Sequence, residues 1–186
     1  MRIAPIGGSE TPLSLTGIAY APEIGRAANE FSRITYQNSR LSLREFEAAR
    51  LATAFINGCQ LCQNWRSAAD LPPYLKSLGG GEGSVADNGP EPDEAFYQAV
   101  ADWCTSTLFS EREKLAIELA VGMGEAPKDI AADEGFWARI KAHYSDAEIV
   151  DLSYCIACWM GLGRMTHVLG LDSACALPWR ETADAA

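Results

Sequence analysis

Two cysteines separated by two residues, Cys59 and Cys62, stand directly behind Asn57-Gly58. In a reducing compartment a Cys-x-x-Cys pair is redox-active or metal-binding more often than structural. The residues before it, Ser42 to Ile56, read as a helix. A Ser42-x-x-Glu45 capping box opens it, and Gly58 suits the left-handed residue that stops it. A second helix then begins at or just before Cys59. Its first turn offers unpaired N–H groups and the positive end of the dipole, both of which favour a thiolate over the thiol. Cys59, Cys62 and Arg66 fall at i, i+3 and i+7, on one face of that helix, so Arg66 is a candidate cation for the sulfurs. Glu47 lies twelve positions before Cys59. Along one straight rod that is about 18 Å, too far for proton transfer. A fold-back at Asn57-Gly58 is what would bring the carboxylate towards the thiol. With Leu43 and Leu51 at i±4, Glu47 sits on an apolar stripe where partial burial suits proton transfer.

The elements that must position these residues all read as helices. Residues 22–37 place Ile24, Ala27, Ala28 and Phe31 on one face. After the helix 42–56 comes one over 59–70, ended by Pro72-Pro73. Gly79 to Pro92 has the composition of a flexible loop. Further helices are expected over 93–107 and from the Ser110-x-x-Glu113 capping box to 121, where Gly122 and Gly124 stop it. Another runs over 131–143. A third capping box, Ser145-x-x-Glu148, starts a long helix to about 169, ended by Gly170. Its stretch from Leu152 to Met165 is apolar almost all round and should be the central buried helix. Two spans, Ser42 to Gly58 and Ser145 to Gly161, echo one another at an offset of 103, as two hairpins about a pseudo-dyad would. No segment alternates as a strand does. The expectation is an all-α fold of about seven helices. A single domain spans residues 21–172, with an irregular lead-in over 1–20 and a loose tail over 173–186.

Composition narrows the partners. The chain has 186 residues and a formal net charge of −10, which argues against nucleic acid and anionic membrane surfaces, since both need basic patches. The first residues break at Pro5 and Gly7-Gly8 before a signal-peptide core forms. The longest uncharged apolar run, Leu152 to Gly163, is too short to span a bilayer. A soluble cytoplasmic protein is expected. Of the six cysteines, Cys155 and Cys158 form a second Cys-x-x-Cys, but inside an apolar helix, where they read as core packing. No metal site and no cofactor is expected, because the further ligands at credible spacing are missing. His143 reads as a surface residue. His167 reads as a cation near the C-terminus of the last helix.

With Glu47, Cys59 and Cys62 in hand, the sequence resembles the AhpD-like, or carboxymuconolactone decarboxylase-like, family. That family's motif is a Glu twelve residues before the first Cys, then Cys-x-x-Cys, then a His four residues after the second Cys. The stretches Leu115–Ala120, His143–Leu152 and Gly161–Met165 also look like the family's C-terminal end. The resemblance implies an all-α fold, homo-oligomers, and thiol–disulfide oxidoreductase or alkylhydroperoxidase activity. The substrate would be a small peroxide or disulfide, and an external dithiol would be the reductant. By the same resemblance Cys62 is the peroxidatic thiol, Cys59 its resolving partner and Glu47 part of a proton relay. The chain departs from the family at Arg66, where the motif's His should stand, and at Leu61, where well-studied members carry a His between the cysteines. The usual Glu-His-Cys relay therefore cannot operate in its usual form. Arg66 is left to lower the thiol pKa, or Glu47 to act directly or through water. Two other readings compete. One is a lactone decarboxylase-type lyase, for whose base the chain offers only His143, His167 and acids. The other is a non-catalytic helical module whose redox pair has drifted.

Overall fold

The computed structural model describes residues 2–3, 19–77 and 83–172. The expected lead-in, the tail and part of the glycine-rich loop lie outside the described residues. Nine α-helices are seen among the described residues, with no strand: α1 Pro22–Asn38, α2 Leu43–Asn57, α3 Gln60–Asn64, α4 Ser67–Ser77, α5 Glu94–Ala99, α6 Glu111–Glu125, α7 Pro127–Ala132, α8 Glu134–His143 and α9 Asp146–Val168. None of them is long and apolar enough to cross a membrane. The all-α reading therefore holds.

The three capping boxes are all formed, and each glutamate does a second job. Arg112, in the first turn of α6, binds the cap glutamates of two other helices, Glu45 of α2 and Glu148 of α9. Arg44 of α2 in turn binds Glu113, the cap glutamate of α6, at 2.6 Å. Charge-assisted bonds thus pin three helix N-termini at one end of the molecule. From there α2 runs packed between α6 and α9, and α1 lies against α9. Phe46, Leu51, Leu115, Ile117, Leu152 and Ile156 fill the space between, each almost wholly buried.

Several expectations need correcting. The central buried helix is α2. Its residues from Leu43 to Ala54, apart from Arg44, and its last, Asn57, are hidden, whereas α9 leaves Val150, Tyr154, Met165 and Val168 exposed. Three of α2's hidden residues carry charge, Glu47 and Arg50 paired with each other and Glu45 with Arg112, which is why the pattern looked amphipathic. The expected helix over 59–70 is two helices, broken at Trp65-Arg66. There the buried Asp70 carboxylate accepts the Arg66 N–H at 2.7 Å and starts the chain turning again. Because α4 begins only at Ser67, Pro72 and Pro73 fall inside it instead of ending it. Burial of Leu71 and Leu75 holds the helix across the lost ladder bonds. The helix expected over 93–107 ends after Ala99 and tightens into a 3-10 turn at Val100–Asp102. Gly122 and Gly124 do not stop α6, which runs through to Glu125. They are contact points: a Cβ on Gly122 would run into the Ile130 side chain of α7, and one on Gly124 would lie 2.5 Å from Met160 of α9. The helix expected over 131–143 is the pair α7 and α8. The internal echo fails at its end, since Gly161 lies inside α9. In α1, Ile24 and Phe31 point outward and Thr35 is the buried residue.

The described part of the glycine-rich loop is built in. Val85 is fully buried. Asn88 donates to the carbonyls of Ser39 and Leu41, and its own carbonyl accepts the Leu43 N–H. It thereby fixes the turn between α1 and α2.

Candidate functional site: a dithiol pair at the α2–α3 junction

Helix α2 ends as its sequence requires. Gly58 adopts φ 69°, the left-handed conformation, and its N–H reaches the Ala54 and Phe55 carbonyls. The chain reverses there, and Cys59 becomes the N-cap of α3, with its sulfur accepting the Cys62 N–H at 3.3 Å. Cys59 and Cys62 are joined in a disulfide, with their Cα atoms 5.3 Å apart. Cys59 is fully buried, and Cys62 is half-buried. Since α3 is a single five-residue turn, a large helix dipole is not what acts on the sulfurs. The local donor is the one N–H of Cys62.

Cys62 opens onto a cavity of about 230 Å³ whose walls include Tyr36, Arg50, Trp65, Trp159 and Leu162. The Tyr36 and Trp65 rings are tilted to one another with centroids 6.0 Å apart, and Trp65 and Tyr74 meet edge-on at 5.6 Å. Burial pushes the Tyr36 and Tyr74 phenols up, so both are neutral hydroxyls. Cys158 also lines this cavity. Burial raises its thiol and that of Cys155, in keeping with packing more than reactivity.

Glu47 is completely buried. Its carboxylate accepts from Arg50 Nε at 2.6 Å, Arg50 Nη2 at 3.1 Å and Ser67 Oγ at 2.6 Å. Arg50, itself 2% exposed, donates onward to the carbonyl oxygens of Cys62 and Trp65. Burial works against the Arg50 charge, but the adjoining Glu47 carboxylate more than offsets it and holds the guanidinium charged. The fold-back does bring Glu47 to the turn that carries the two cysteines. It gets there through Arg50, a residue the sequence reading passed over. The i, i+3 spacing of Glu47 and Arg50 was the available signal.

Arg66 goes elsewhere. With α3 ended at Asn64 and Trp65 extended, Arg66 leaves the face of the sulfurs. Its guanidinium pairs with Glu94 at 2.9 and 3.2 Å, donates to the Gln63 and Trp65 carbonyls, and lies 4.0 Å over the Tyr97 ring. The expected shared face of Cys59, Cys62 and Arg66 does not exist.

His167 is nearer the pair than its place in the sequence suggested. Its Nε2 lies 3.1 Å from where a Cβ on Gly58 would stand, and its Nδ1 is 2.9 Å from Asp172 Oδ2. That same carboxylate oxygen accepts the Gln60 N–H at 3.1 Å. His143 is an exposed residue at the end of α8 whose carbonyl accepts from Arg112.

The described residues, all helix, turn and coil, carry a Cys-x-x-Cys disulfide between two helices, with Cys59 hidden and Cys62 lining a cavity. The sequence matches no family model and no curated protein. Solved structures do share the fold. One is a protein of unknown function from Agrobacterium tumefaciens, described as a candidate AhpD antioxidant defence protein. It superposes with a TM-score of 0.61 at 20% identity, covering 82% of this chain and 92% of that one. Another is the alkylhydroperoxidase AhpD core of an uncharacterised peroxidase-related protein from Ralstonia eutropha JMP134. It gives a TM-score of 0.59 at 19% identity, over 87% of this chain and 76% of that one. The fold of this chain is AhpD-like.

Proposed function

We propose that the chain is a thiol–disulfide oxidoreductase of the alkylhydroperoxidase kind, cycling Cys59 and Cys62 between dithiol and disulfide. The observation that carries this reading is the asymmetry of the pair: Cys62 faces the aromatic cavity while Cys59 is buried behind it. In the oxidising half, the Cys62 thiolate attacks a hydroperoxide. The O–O bond breaks, an alcohol leaves with one proton, and Cys62 becomes a sulfenic acid. Cys59 then displaces the hydroxyl as water and closes the disulfide. An external dithiol returns two electrons and leaves as its own disulfide. A disulfide substrate would enter at the thiolate step in place of the peroxide. The mostly apolar wall favours substrates with an alkyl or aryl body. Arg50, held by Glu47, fixes the Cys62–Trp65 backbone that frames the cavity.

The test is dithiol-linked turnover of an organic hydroperoxide and of a small disulfide. Cys62→Ser is expected to abolish both, and Cys59→Ser to leave a single reaction without recycling. Turnover in either variant equal to the parent would refute the assignment. The proposal includes a homo-oligomer, in which a second copy covers the exposed Val150, Tyr154, Met165 and Val168 of α9. Sedimentation of the purified chain should give more than the monomer mass, and Tyr154→Glu should shift it towards monomer.

A further inference from the structure

Cys59 poses a problem that the pair alone does not solve. It must gain a proton when the disulfide opens and lose one when it closes, yet none of its surface reaches water. Glu47 cannot serve, because its carboxylate is tied to Arg50 and Ser67. Arg66 is turned away towards Glu94.

We propose that His167, oriented by Asp172, carries the Cys59 proton to and from solvent. This rests on the redox reading above. Three observations bring the dyad to the turn that carries the sulfurs. The imidazole Nε2 abuts Gly58, immediately before Cys59. The Asp172 carboxylate binds the N–H of Gln60, immediately after it. The Cys62 sulfur lies 3.7 Å from where a Cβ on Gly163 would be, and Gly163 and His167 are one turn apart on the same face of α9. Burial raises the Asp172 carboxyl, but the bonds from His167 and Gln60 outweigh it and the net shift is downward. An ionised carboxylate can only accept, so His167 Nδ1 is the donor to it. In the neutral ring the bare lone pair is then on Nε2, the nitrogen against Gly58. The His167 side chain is 46% exposed while that of Asp172 is 5% exposed. One edge of the ring therefore meets water while the other meets the redox turn.

When an external thiolate attacks Cys62, the Cys59–Cys62 bond breaks and its electron pair goes to Cys59. Protonated His167 supplies the proton. The reductant's second thiol then releases Cys62 and departs as a disulfide. In the reverse half, neutral His167 takes the Cys59 proton, the thiolate attacks the Cys62 sulfenic acid, and the hydroxyl leaves as water. Among the described residues, the charged group bonded to His167 is Asp172, from the turn after α9; from the α2–α3 turn the ring meets Gly58, next to Cys59. Arg164, one turn back on α9, binds Asn57 Oδ1 and Met160.

The experiment follows opening of the disulfide by dithiothreitol and its closure by an organic hydroperoxide, each by rapid quench and thiol counting, from pH 5 to 9. General acid–base catalysis is typically worth 10²–10⁴-fold, so His167→Ala should slow both steps about tenfold or more near pH 7. Added free imidazole should restore much of the loss. Asp172→Asn, which keeps the ring but removes its ionised partner, should fall between. His143→Ala should match the parent. Parent-like rates in His167→Ala, or a loss that imidazole does not repair, would overturn the proposal. If His167→Ala does not fold, Asp172→Asn decides: rates equal to the parent across the pH range overturn it. A parent whose pair opens and closes while His167→Ala is unaffected sinks the dyad alone. A parent whose pair does neither sinks the redox reading with it.

Discussion

Arg50 joins three things that the chain keeps apart in sequence: the Glu47 carboxylate, the Cys62 carbonyl and the Trp65 carbonyl. Removing one partner of a buried ion pair strands the other, at a cost of about 3–5 kcal/mol. Arg50→Met should therefore destabilise the protein by that order in urea unfolding. The double change with Glu47→Gln should be milder than the sum of the single ones, since it leaves no buried charge alone. Part of this site was legible from residue types: the cysteine pair and the glycine stop stand where the spacing put them, while the acid twelve positions upstream is fully buried and reaches the same turn only through Arg50. Arg50 was not, because a charge inside an amphipathic pattern is ordinarily a solvated one. Arg66 was misplaced because the reading assumed an unbroken helix. His167 and Asp172 lie more than a hundred positions from the pair, and only folding shows that they meet it.

At the scale of elements, capping chemistry was the most readable feature. The N-termini of α2, α6 and α9 stand where their Ser-x-x-Glu boxes placed them. Ends were less readable, because glycine and proline carry two meanings. Gly58 and Gly170 take positive φ, but Gly122 is a place where α6 and α7 touch. Gly122→Ala would drive a Cβ into Ile130, and overpacking of this kind costs typically 1–3 kcal/mol. The thermal midpoint should fall accordingly, with far-UV circular dichroism at 20 °C unchanged. The α9 cap gives a pH test. The Ser145 N–H and hydroxyl, followed by Arg112, pull Glu148 down from 4.5 to about 2. A depressed acid stabilises the fold above its unfolded value and loses that contribution as pH falls towards the folded one. The midpoint of the parent should therefore drop between pH 4.5 and 2. Glu148→Gln, with no proton to gain there, should drop less over the same range.

At the scale of the whole molecule, the all-helical class followed from periodicity and from the absence of alternating segments. Which helix lies at the centre did not follow. Hydropathy pointed to α9, but α2 is the more deeply hidden, because small residues such as Ala48, Ala49 and Ala52 let it approach its neighbours closely. Its three buried charges find partners inside or at helix ends. The aromatic cavity is also a property of the assembled whole, drawing on α1, the α3–α4 turn and α9. Trp65 and Trp159 stand in its wall beside Cys62, and a disulfide quenches the emission of a nearby indole. Reducing the pair should brighten the intrinsic fluorescence of the protein, and Trp65→Phe should mute that change. The chain thus carries its own optical readout of oxidation state, with no dye to attach.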